Sequence, residues 1–234
     1  MAEPSSRTLK RADPGIWKRR PGRSGRWWLL VEFLVLFVAV PITIALFLPP
    51  GMMFRVLFVF SAAGLVLLWY TGGFNWRDLL HGWRQFDWRL LFVFAVLTAG
   101  ASVIALYLTQ PDALFAFMRN NPRMLMIVWL FYPLISALPQ ELIFRVLFFH
   151  RYDALFTNPR QAVLINAAIF SLAHLMYWNW IVAVFTFFGG IGFAVGYLRR
   201  GLPWAWILHA VAGNILFAIG MGVYFYSGNV VRPF

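Results

Sequence analysis

The sequence predicts an all-α fold, a polytopic transmembrane helix bundle of seven to eight helices, and three observations carry that expectation. Hydrophobic residues make up 62% of the 234-residue chain and charged residues only 12%, whereas soluble domains carry roughly 25% charged. Apolar runs near the ~20 residues that cross a bilayer as helix recur between short polar connections. The alternation of period two that a membrane barrel would need is not visible. The domain organisation that follows is a basic cytoplasmic tail over 1–26, transmembrane helices over 27–123, motif-bearing helices over 124–226 that form one integral domain with them, and a short external tail over 227–234.

The first span, Trp27 to Leu48, is longer than a signal-peptide core and no A-x-A site accompanies it, so it is expected to stay as an uncleaved anchor. The second and third, Met52 to Tyr70 and Leu91 to Leu108, supply hydrophobicity and no motif. The fourth runs from Met124 to Phe149. The fifth, Gln161 to Tyr177, follows Asn158-Pro159, an N-cap residue ahead of a first-turn proline. The sixth, Trp180 to Leu198, holds Gly192 and Gly196 at the GxxxG spacing of close helix packing. The seventh spans Trp204 to Tyr226, and an eighth would come from Asp78 to Leu90 or Ala113 to Arg119 dipping into the bilayer.

The net charge of +12 invites comparison with nucleic-acid binders, but 8 of the 20 basic residues fall in the first 26 positions, beside an apolar run. A polybasic juxtamembrane tail drawn to anionic lipid explains them better, so the expected partners are the bilayer and a peptide or membrane-protein substrate, with no nucleic acid. With the N-terminus cytoplasmic, 15 basic residues lie inside and 4 outside, with Arg145 within a span, as the positive-inside tendency requires. The expected location is integral to a membrane, the bacterial inner membrane in particular. Tryptophans at predicted helix ends, Trp204 and Trp206 among them, fit an interfacial belt. The chain has no cysteine, so chemistry must use oxygen or imidazole.

Inside the spans the ionisable residues are Glu32, Glu141, Arg145, His174 and His209, each costing at least ~2.5 kcal/mol at mid-bilayer unless paired or hydrated. Glu141 and Arg145, four apart, can pair along one helix face. Glu32, near the cytoplasmic end, is expected to snorkel or to pair with the basic tail. At ~1.5 Å of rise per residue, Glu141, His174 and His209 fall at depths where they can meet around an inner-leaflet cavity.

These residues also carry a resemblance. Gln140-Glu141-Leu142-Ile143-Phe144-Arg145 resembles the EExxxR motif, Phe170 to His174 the FxxxH motif and His209 to Asn214 the HxxxN motif of the CPBP family, which contains the CAAX prenyl endopeptidases of the Ras-converting type and bacterial Abi-type intramembrane proteases. The resemblance covers about residues 124 to 220 and implies an intramembrane endopeptidase acting on a hydrophobic or membrane-anchored peptide from the cytoplasmic side. It implies further that a glutamate activates water with help from His174, that His209 and Asn214 polarise the carbonyl, and that Arg145 anchors a carboxylate. Gln140 and Phe170 would support the site. A prenylated substrate would follow from the resemblance alone.

Two features depart from that pattern. Gln140 stands where the family has the first glutamate of its pair, which leaves Glu141 as the only motif carboxylate and therefore the expected base. His209 and Asn214 are five apart, about 140° of helical rotation, so a shared face would need a π-bulge with Gly213 making room. No cofactor is favoured; the alternative is zinc on Glu141, His174 and His209, although the HExxH signature is absent. The competing function is a catalytically silent relative that binds or chaperones membrane partners, with Gln140 as its mark.

Overall fold

The computed structural model describes residues 23–83 and 86–233. Most of the expected basic tail, Arg84 and the final residue of the external tail lie outside them. Seven principal helices follow in order: α1 (Gly25–Phe47), α2 (Met53–Trp69), α3 (Trp88–Thr109), α4 (Pro122–Arg151), α5 (Pro159–Ala173), α6 (Trp180–Arg200) and α7 (Leu202–Ile219). No strand occurs among the described residues. Five of the seven, all but α2 and α5, are long and apolar enough to cross a membrane. The expected eighth helix does not form: those stretches hold a 3-10 turn, Trp76–Leu80, and a five-residue helix, Ala116–Asn120.

Helix starts are set by local polar chemistry. The Asp87 carboxylate accepts the Leu90 N–H at 3.0 Å ahead of α3, and Asn158 accepts the Gln161 N–H at 2.9 Å ahead of α5, satisfying donors that a helix N-terminus leaves open. Asn179 does the same for α6, accepting from Ile181 at 2.8 Å. The seventh helix stops well short of Tyr226, because Gly220 takes a left-handed conformation with φ 117° that ends it.

The fourth helix is not regular. Pro133 and Pro139 each lack the N–H that an α-helix needs in its interior, and π-helical turns form at Pro133–Ala137 and Leu142–Leu147. Between them lies the four-residue α-helical turn Leu138–Glu141, which contains Gln140 and Glu141. The π-bulge expected near Gly213 is absent, since α7 is α-helical throughout; the register change sits in α4 instead. Trp206 on α7 donates its indole N–H to the Pro133 carbonyl at 2.6 Å, tying the two helices at the first π turn.

A core of aromatic side chains joins α1, α4, α5, α6 and α7: Phe33, Phe37, Phe144, Phe148, Phe170, Phe193 and Trp204 are all buried. The outer faces of α2 and α3, with Val59, Phe92 and Leu97 mostly exposed, present apolar surface that water would penalise and lipid would not. Two tryptophans leave the expected interfacial belt. Trp206 bonds inward, and Trp204 is buried against Phe86. Gly196 packs directly on Trp204 and Leu208, and Gly190 on Ala167, so the small residues of α6 serve close helix approach.

Glu32 also differs from expectation. Its carboxylate takes the Arg151 guanidinium in a fork, from Nε at 2.5 Å and NH2 at 2.7 Å, and the Tyr152 hydroxyl at 2.6 Å. Bidentate geometry of this kind is stronger than a point contact, and it locks α1 to the end of α4. The two ends of the bundle are thereby defined. At one, Arg151 meets Glu32 and Thr71 while Arg200 pairs with Asp87 at 3.0 Å. At the other, Tyr177 reaches Met53 and the Phe115 N–H donates to the Ile219 carbonyl.

Candidate active site

Glu141 is fully buried, and each of its oxygens has a separate counterpart. Oε1 accepts from His209 Nδ1 at 2.8 Å, and Oε2 lies 3.1 Å from Arg145 Nε. Arg145, equally buried, donates to Asn166 Oδ1 at 2.5 Å and to the Phe144 carbonyl at 3.3 Å, and its guanidinium lies 4.8 Å over the Phe170 ring. Asn166 in turn donates to the Phe144 carbonyl. Glutamate and arginine thus neutralise one another inside the bundle, as buried charges must. Arg145 lies within the second π turn, which begins just after Glu141, and the pair expected from the i, i+4 spacing forms.

His209 is held on every side. Its ring stacks on Phe193 at 4.7 Å and 12°, meets the edge of Phe170 at 5.6 Å and of Tyr132 at 6.0 Å, and is 5% exposed. With Nδ1–H donated to a carboxylate, Nε2 carries the lone pair in the neutral ring. His174 sits just past the end of α5, and its Nδ1 lies 2.7 Å from the Phe170 carbonyl. A carbonyl only accepts, so this nitrogen carries the proton and Nε2 is again the free base. The FxxxH spacing has a local meaning here, since it is the Phe170 backbone that orients the imidazole.

Both histidines line one cleft of about 430 Å³ together with Gln140, Ser136, Tyr132, Phe170 and Phe193. Glu141 is not among its walls. Gln140 is, and its Nε2 donates to Ser136 Oγ at 3.0 Å. The two adjacent motif residues therefore have opposite posts: the amide faces the cleft and the carboxylate stands behind His209. The cleft extends from His209 toward the end of the bundle where Met53, Tyr177 and Ser227 lie, away from the end that carries Arg151 and Arg200. With the expected cytoplasmic N-terminus that end would be the outer one, opposite the cytoplasmic-side access that the resemblance implies.

Asn214 is not brought to the site. Its Nδ2 donates to the Trp129 carbonyl at 3.2 Å while Trp129 Nε1 donates to the Asn214 carbonyl at 3.0 Å. On a regular α7 the five-residue spacing turns it away from His209. Gly213 does make room, but for the Tyr132 ring, which occupies the space a Cβ would need. No group of three His, Asp or Glu side chains placed to hold a metal occurs among the described residues, and Glu141 faces His209 and Arg145.

Asn166, Ser136, Tyr132 and Phe193 were not singled out from sequence. Asn166 had a signal, as an amide one helical turn before Phe170 in an apolar span. The others are apolar or small residues of a kind that every span contains.

A buried carboxylate–imidazole pair and a second imidazole on one cleft, drawn from α4, α5 and α7, is the arrangement against which known proteins can be compared. A family model described as type II CAAX prenyl endopeptidase Rce1-like matches residues 122–225. That segment is similar to the Rce1-like family. The match runs from the first residue of α4 to beyond α7, so it contains all three motifs and bears out the resemblance they carry, while α1 to α3 lie outside it. The family is one of membrane endopeptidases, and the apolar helices make this chain an integral membrane protein. No curated protein and no solved structure matches the chain.

Proposed function

We propose that the protein is an intramembrane endopeptidase that hydrolyses a hydrophobic or membrane-anchored peptide with His174 as the general base. The observation supporting this reading is one cleft lined by His174, His209 and Gln140 together. Water attacks the peptide carbonyl carbon, and His174 Nε2 takes its proton. His209 Nε2 accepts the water's second hydrogen as a hydrogen bond and so fixes its direction. One amide hydrogen of Gln140 is held by Ser136 and the other is free for the developing oxyanion. When the tetrahedral intermediate collapses, His174 returns its proton to the departing nitrogen, and a carboxylic acid and an amine remain.

In this mechanism Glu141 is a positioning residue. It fixes the His209 tautomer as a carboxylate behind an imidazole does, and it neutralises Arg145. This role differs from the one the resemblance implies, and it is supported by Glu141 bonding His209, facing Arg145 and not lining the cleft. The chain lies in this reading in a bacterial plasma membrane with its N-terminus cytoplasmic, as the distribution of basic residues favours. Gln140 also supports a second reading, a silent relative that binds peptide without cutting it, because an amide cannot take a proton at neutral pH.

The test is mass spectrometry of membrane-anchored peptides incubated with the protein reconstituted in liposomes. Internal cleavage by the wild type that is lost in His209→Ala supports hydrolysis. Binding without cleavage by the wild type, together with cleavage by Gln140→Glu, supports the silent relative.

A further inference from the structure

Tyr132 lines the cleft and has no part in the mechanism above. Its ring meets two side chains of α7 edge-on, His209 at 6.0 Å and Phe217 at 5.9 Å. Between them it lies over Gly213, in space that a side chain there would need, and the hydroxyl as well as the ring occupies that space. The hydroxyl makes no hydrogen bond among the described residues. A phenylalanine would pack as well, so the O–H is a donor that nothing in the fold receives, whereas an enclosed tyrosine hydroxyl usually has a partner. The first π turn explains why this residue faces the site. Tyr132 and Gln140 are eight residues apart, about 80° of separation on a regular α-helix. The turn Pro133–Ala137 lies between them, and its one additional residue reduces the separation to about 20°. Tyr132, Ser136 and Gln140 thereby form one wall of the cleft.

We propose that Tyr132 is a catalytic residue, whose phenol O–H donates a hydrogen bond to the oxygen of the scissile carbonyl as that oxygen becomes negative. The inference rests on the endopeptidase reading. When water adds to the carbonyl carbon and gives its proton to His174, the electron pair of the C=O π bond moves onto oxygen. Tyr132 keeps its proton and shares it with that oxygen, and the contact weakens again when the intermediate collapses and the C=O re-forms. The phenol joins the free amide hydrogen of Gln140, so one wall of α4 supplies two neutral donors. Neutral donors suit an apolar cleft, because they carry no charge to desolvate before the oxyanion appears. The geometry of α7 leaves the post open. Asn214, the donor that the resemblance implies, bonds the Trp129 carbonyl instead. The residue about one turn past His209 and on its face is Gly213, which has no side chain to offer, and the Tyr132 hydroxyl lies where one would begin.

The full chain, reconstituted in liposomes, is given an N-acylated heptapeptide of leucine and alanine, made with a central amide and, separately, with a phosphinate in its place. The phosphinate is tetrahedral and carries a negative oxygen, as the intermediate does. Tyr132→Phe keeps the ring over Gly213 and should melt as the wild type does. Its kcat should fall by roughly 10²–10³, the loss that follows removal of one oxyanion donor. KM should stay nearly unchanged, because the hydrogen bond strengthens only as charge develops, whereas a packing role would leave kcat untouched. The phosphinate should bind Tyr132→Phe about tenfold or more weakly than it binds the wild type, the scale of one hydrogen bond to a charged group. Wild-type kcat in Tyr132→Phe, or a phosphinate bound equally by both proteins or by neither, would overturn the assignment, and continued cleavage by the wild type would leave the endopeptidase reading in place. If the wild type cuts no peptide but binds the phosphinate, and Tyr132→Phe binds it more weakly, the donor stands and the hydrolytic reading falls.

Discussion

Replacing Glu141 by glutamine removes one charge from a group that is fully buried and faces a buried cation at 3.1 Å. Arg145 would keep the Asn166 amide oxygen, the Phe144 carbonyl and the Phe170 ring, none of which carries a compensating charge. Breaking one side of a buried pair costs about 3–5 kcal/mol, a large part of the ~5–15 kcal/mol that keeps a domain folded. On the scale of soluble domains this size, the melting point should fall on the order of 10 °C. By contrast, Gln140→Ala removes one hydrogen bond to Ser136 and should cost about 1 kcal/mol. The assay is thermal unfolding of the detergent-solubilised protein followed by intrinsic fluorescence. The double variant Glu141→Gln with Arg145→Met should recover most of the loss, since exchanging a whole buried pair for neutral groups is often without cost. It should nevertheless stay impaired in cleavage, because a glutamine behind His209 fixes the tautomer poorly. Wild-type melting of Glu141→Gln alone would refute the placement of this carboxylate as the arginine's counter-ion.

Three further outcomes follow from the geometry. Gly213→Ala puts a methyl group into the Tyr132 ring, and the overpacking should cost ~1–3 kcal/mol in the same melting assay and disturb cleavage by moving the ring from the edge of His209. Asn214→Ala should leave cleavage near the wild-type rate, because that side chain bonds the Trp129 carbonyl; a loss of catalysis by orders of magnitude would return it to the site. Single cysteines at Asn121, Trp178 and Gly228, introduced into this cysteine-free chain, should react with an impermeant reagent added to whole cells, whereas those at Thr71, Asp153 and Arg200 should react only after the membrane is opened. The reverse pattern would invert the orientation and place the cleft toward the cytoplasm.

The fold was legible because hydropathy alone marks a helix that must satisfy its backbone within lipid, and all seven expected spans correspond to helices. Their ends were less so: Tyr226 was assigned to the last span because Gly220 is a small residue like many others until its positive φ is known. Buried charge was the best guide to the site, since Glu141, Arg145 and His209 do converge. What the residue order could not show was which way each side chain faces. Gln140 and Glu141 are adjacent, and π turns on both sides of them decide that the amide meets the cleft. Pro133 and Pro139 were the available warning of that irregularity. The partner of Glu32 was hidden for a related reason: Arg151 is 119 residues away in sequence, and only packing brings the two together.

The most direct measurement is the cleavage rate of a membrane-anchored peptide by purified His174→Ala in liposomes, compared with wild type of equal melting temperature. His174 is tied to the rest of the protein mainly through the Phe170 carbonyl and ring contacts at the cleft wall, so the folded protein should persist. The rate should fall by roughly 10²–10⁴, the contribution of a positioned general base. A His174→Ala variant that cleaves as fast as the wild type would contradict the assignment of the base to this residue.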